Sequence, residues 1–229
     1  MKALLTIFLL AISINSFSQA FIRPVEPTEI MSPSFMKSAT AVYLSGEEVV
    51  GVKFGSAILT NGGLASFTLK TSDGGKVKFK AAEVSKLSIE LNGFATFMMA
   101  ADGNSIKETF ENYFYEGGKD QNIITFEQVE IKPGKFKLLQ LLNPDTDERI
   151  KVYLDPTAQQ GSMSGEDKSY YVQKGDRSFK LKKKKYDDEF ENLFGDSEIM
   201  MKFLKEKQIK LKFKNFAGHV ELYNQTFSW

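Results

Sequence analysis

Phe67-Thr68-Leu69-Lys70-Thr71-Ser72-Asp73-Gly74-Gly75-Lys76-Val77-Lys78-Phe79 is the stretch that decides the fold class. Phe67 and Leu69 alternate with polar residues, Ser72 to Gly75 turns the chain, and Val77 and Phe79 alternate again. Alternation sends successive side chains to opposite faces of a strand, and an Asp-Gly pair between two such runs predicts a β-hairpin.

The same grammar extends in both directions. Val42 to Leu44 meets the turn Ser45 to Glu48 and continues as Val49 to Phe54. Ile123 to Ile131 ends at Lys132-Pro133-Gly134. Phe136 to Leu142 and Ile150 to Leu154 flank a polar turn from Asn143 to Asp147. Tyr170 to Val172 and Phe179 to Leu181 enclose Lys174-Gly175-Asp176. Phe94 to Met99 is a further apolar run, and Ala158 to Asp167, rich in Gln, Ser and Gly, reads as a mobile loop. Short strands without helical periods between them favour antiparallel sheets, as a sandwich or a partly open barrel.

After Leu181 the period changes. Tyr186, Phe190, Leu193 and Phe194 share one helical face ending at Gly195, with Asp187 to Glu189 in the first turn. Asp196-Ser197-Glu198 opens a second helix striped by Ile199, Met200, Phe203 and Leu204, and Phe213, Phe216, Ala217 and Val220 suggest a third. The expected class is α+β: residues 39–182 as an antiparallel β domain, then 183–229 as two or three helices.

The N-terminus predicts an address. Lys2 precedes an apolar run from Ala3 to Ile14, and Ser16 and Ser18 place small side chains before Gln19. That is the pattern of a secretory signal over residues 1–18, with an apolar run too short for an ordinary membrane span. No cysteine follows, which rules out anchoring by thiol acylation, and 19–38, with Pro24, Pro27 and Pro33, reads as an extended leader. The expectation is an exported protein, periplasmic or extracellular or associated with the outer membrane, without a transmembrane helix after processing. Loss of the signal takes one lysine from 30 basic residues and none of 29 acids, leaving a formally neutral chain with no footprint for nucleic acid.

The segments Ala41 to Phe54, Lys76 to Val84, Tyr170-Tyr171-Val172 with the lysine run, Leu193-Phe194-Gly195-Asp196 and Leu222-Tyr223-Asn224 resemble a group of uncharacterised exported β-rich proteins of Gram-negative bacteria. The resemblance covers most of the chain after the signal. It implies the address and the architecture, and no activity.

Chemistry is sparse. Without cysteine there is no thiol nucleophile or thiolate metal site, and His219 is the one histidine. No nucleophile-elbow, phosphate-loop or dinucleotide motif accompanies it, so a surface or half-buried helix histidine is the simpler account. Asp145 to Glu148 lacks the glycine and distant glutamate of a calcium loop, and a polar turn explains it. No cofactor and no metal site follow from the residues. Lys180 and Lys182 to Lys185 form the densest positive run; Lys182 and Lys184 are candidates for an anionic glycan or lipid headgroup, beside the simpler reading of a lysine-protected edge strand. Phe110, Tyr113, Phe114 and Tyr115 could stack on a sugar or peptide, with Tyr113 and Tyr115 the candidates, although such clusters more often form core. The favoured expectation is a non-enzymatic envelope protein that binds another envelope protein or a glycan. The alternatives are a carboxylate-based hydrolase and a small outer-membrane barrel suggested by Tyr223, Phe227 and Trp229.

Overall fold

The computed structural model describes residues 21–22, 24–25, 27–96, 122–144, 149–158 and 169–226. The segment read as a signal, the aromatic cluster with Tyr113 and Tyr115, the acids 145–148, the loop after Ala158 and the last three residues lie outside them. The chain is mainly antiparallel β with helices mostly at its C-terminus, the class its alternation predicts. It divides into two compact units, Pro24–Leu141 and Met1–Arg23 with Leu142–Trp229.

In the first unit the strands are β1 (Met36–Tyr43), β2 (Glu48–Gly51), β3 (Lys53–Thr60), β4 (Gly63–Lys70), β5 (Lys76–Lys80), β6 (Val84–Leu91), β7 (Ile123–Lys132) and β8 (Lys135–Gln140). They pair in the order β2-β1-β6-β7-β8-β4-β3, with β5 also on β4, and the sheet curls into a half-barrel. β2 and β3, the two ends of that order, are halves of one bent stretch broken only at Val52, whose N–H donates to Lys70 O at 2.9 Å. Gly51 is needed at the bend, since a Cβ there would sit 2.8 Å from Leu69 Cβ.

Two turns set the register of β3, β4 and β5. Asn61 and Gly62 both have positive φ, 48° and 75°, the backbone that joins twisted strands through two residues. Asp73 accepts from the Thr71 hydroxyl and the Gly75 N–H, and Gly74 turns at φ 86°. Between them Phe67 and Leu69 point inward with Phe54 and Phe79, and Phe67 and Phe79 stack at 4.8 Å. Each such ring, fully withdrawn from water, contributes about 2–3 kcal/mol. Ala39, Ala41, Val84, Leu87, Ile89, Ile124, Phe126 and Leu138 belong to the same core.

The second unit pairs β9 (Ile150–Leu154), β10 (Ser169–Lys174) and β11 (Arg177–Lys182) in the order β11-β10-β9. Helices α2 (Tyr186–Phe194), α3 (Glu198–Lys205) and α4 (Phe216–Gln225) follow. Ile150, Val152, Val172 and Leu181 from the sheet share one buried cluster with Tyr186, Phe190, Phe194, Met200, Phe216 and Val220 from the helices. Ser197 caps α3, its hydroxyl accepting from Met200 N–H, and Asp187 to Glu189 occupy the positive end of α2.

The boundaries therefore differ from those suggested by alternation alone. Residues 39–182 do not form one β domain: among the described strands β9 to β11 pair only with one another, and they give their apolar face to the helices. The stretch read as a leader is partly core, because Ile30, the last residue of a helical turn, α1 (Pro27–Ile30), and Met31 after it join the first cluster, while Ile22 joins the second. The apolar run at Phe94 begins as a helical turn instead of a strand.

Candidate anion-binding face

The inward alternation of β4 and β5 dictates what their other face carries. With Phe67, Leu69 and Phe79 buried, Ser66, Thr68, Lys70, Lys76, Lys78 and Lys80 must face out, and the four lysines are half-buried or exposed. Register then sets the rows. Lys53 lies directly across from Lys70, and Lys70 across from Lys76. The next row is Ser56, Thr68 and Lys78, with Ser56 Oγ donating to Thr68 Oγ1 at 3.2 Å, and the third is Ile58, Ser66 and Lys80. Two register shifts in the β3–β4 pair offset each other, skipping Gly55 on one strand and Ala65 on the other, so Lys53 returns to the partner its turn prescribes.

Strands lie about 4.8 Å apart and same-face residues about 6.7 Å apart, so five ammonium groups occupy roughly 10 by 13 Å. No acid among the described residues forms an ion pair with Lys53, Lys70, Lys76 or Lys78. Lys80 meets Glu83 at 3.5 Å, a pair exposed on both sides and weak for that reason. Asp73 spends its charge inside the turn: the Thr71 hydroxyl, then the Gly75 amide, hold its carboxyl below the usual range. Like charges directly opposite on a sheet are destabilising, so the row works against the fold. It can accept several anionic groups at once.

The other polar clusters face inward on themselves. Asp155, fully buried at the end of β9, accepts from Ser169 Oγ at 2.6 Å, from Thr157 N and Oγ1 at 3.0 and 2.7 Å, and from Lys180 Nζ at 2.5 Å. Burial alone would raise its pKa, but the bonds from Lys180, Ser169 and Thr157 hold it below the ordinary value. Every donor there is committed to ordering β9, β10 and β11. Asp196 likewise accepts from Lys174 Nζ at 2.8 Å and from Tyr223 Oη at 3.0 and 2.8 Å, tying the β10–β11 hairpin to α4.

His219 is a correction to the sequence reading. It is 3% exposed, not a surface or half-buried residue, and its Nδ1 meets the Tyr186 hydroxyl among the rings of Phe190 and Phe194. Burial lowers its pKa to about 4 and raises that of Tyr186, so both stay neutral, and the His219 tautomer sets which of the two donates in their shared hydrogen bond. The pair links α2 to α4.

The lysine run also divides differently from its sequence. Lys180 is half-buried on Asp155, Lys182 ends β11, and Lys183 to Lys185 form a 3-10 turn leading into α2. Lys182 and Lys184 are exposed, but no strand aligns them, and Lys185 already meets Asp188 at 3.2 Å. The face on β3, β4 and β5 escaped the sequence reading because its lysines are dispersed in sequence. Asn61-Gly62 together with Asp73-Gly74 was the signal that could have found it, since two turns fix two registers. Among the described residues no group of three or more acids or histidines could hold a metal ion. No protein-family model matches the chain, and neither a curated protein nor a solved structure is significantly similar to it.

Proposed function

We propose that this chain is an exported, non-enzymatic protein of the cell envelope that binds another envelope component, and that the component is anionic. The observation that carries this reading is the row Lys53, Lys70 and Lys76, three like charges set opposite one another against the interest of the sheet. A binding role also fits the polar clusters around Asp155, Asp196 and His219, whose groups are occupied with one another. Export rests on the N-terminal pattern from Lys2 to Ser18.

The test is binding to dextran sulfate, a soluble polyanion, followed by calorimetry at rising salt. Affinity should fall with salt and be largely lost in Lys53→Gln/Lys70→Gln/Lys76→Gln. Equal affinity of the triple variant and the parent would defeat the reading.

A further inference from the structure

Resting on that reading, we infer that the anionic component is a phospholipid surface, with the outward face of β3, β4 and β5 as the contact. Three features of this face select lipid over a soluble polymer. First, it is not purely cationic. Ile58, 56% exposed, stands in the row of Ser66 and Lys80. An exposed aliphatic side chain beside lysines suits an interface where phosphates meet hydrocarbon.

Second, among the described residues the face offers no ring for a sugar to stack on: Phe54, Phe67 and Phe79, the aromatic residues of these strands, are all buried on the other side. Third, all five cations are lysines. An ammonium is a point charge on a flexible stem, without the fixed fork by which arginine selects one rigid anion geometry. Mobile headgroups can arrange themselves under such charges at sheet spacing. Thr68, Ser66 and Ser56 supply hydroxyls between them.

The experiment is co-sedimentation of the purified protein with phosphatidylcholine vesicles, with and without phosphatidylglycerol, at low and high salt. The protein should pellet only with the phosphatidylglycerol vesicles and be released by salt. Lys53→Gln/Lys70→Gln/Lys76→Gln should weaken partition about a hundredfold, because each lysine near an anionic surface contributes about a factor of five. Its melting temperature should match or exceed the parent's, which separates lost binding from lost folding. Ile58→Ser should weaken vesicle binding while leaving dextran sulfate binding unchanged. Binding to dextran sulfate without vesicle binding overturns the lipid inference and leaves the anionic-component reading standing. Failure to bind either overturns both, and equal binding to neutral vesicles overturns the role of the lysines.

Discussion

Two sets of lysines, one in each unit, meet opposite fates. In the β9–β11 unit, Lys180 and Lys174 each end on a carboxylate, at 2.5 Å from Asp155 and 2.8 Å from Asp196, and those pairs connect separate elements. In the half-barrel, Lys53, Lys70 and Lys76 end on no acid among the described residues and face one another across three strands. The same residue type is therefore a structural tie in one place and a liability in the other. A tie explains itself by what breaks when it is removed. A liability needs a ligand, because folding alone would favour neutral side chains at those positions.

The comparison breaks most easily at Asp155. Asp155→Ala leaves Lys180, Ser169 and Thr157 without their acceptor in a buried place, and should cost about 3–4 kcal/mol by denaturant unfolding. A loss below about 1 kcal/mol would mean that the cluster does not hold the sheet together.

The buried histidine of the same unit should write its own pH dependence. The unfolded chain binds a proton on His219 near pH 6.5 and the folded chain only near pH 4, so between those values the unfolded state holds more protons. Stability is then complete above pH 6.5 and falls by about 3 kcal/mol as pH drops to 4. His219→Gln, which keeps a hydrogen-bonding partner for Tyr186, should flatten that slope in unfolding curves taken across the window.

One substitution made in both units gives opposite signs. Lys180→Gln should cost about 2 kcal/mol, less than Asp155→Ala because the lysine is partly in water. Lys70→Gln, which removes the central charge of the row, should instead stabilise by about 0.5 kcal/mol at low salt. That gain should shrink as salt screens the row, read as a shift in melting temperature. If Lys70→Gln destabilises, the row is not a liability and needs no ligand to account for it.

Local chemistry carried the sequence reading a long way. Alternation through Phe67 and Phe79 around Asp73-Gly74, and the helical stripe of Tyr186, Phe190, Leu193 and Phe194, are short-range patterns that burial follows directly. What they could not carry was partnership. The burial of His219 required α2 to bring Tyr186 against it from 33 positions away. The split of Lys180 from Lys182 required Asp155 at the end of a different strand.

By itself, then, the sequence determined which residues alternate, where the turns and helix caps fall, and the α+β class, because each of those depends on neighbours within a few positions. Tertiary structure alone decided that β9 to β11 belong with the helices, that one lysine run dissolves into a pair and a turn, and that dispersed lysines become a single charged face. The reason is register: a strand's outward residues acquire neighbours only when another strand lies beside it, and the net charge of a chain says nothing about where its charges meet.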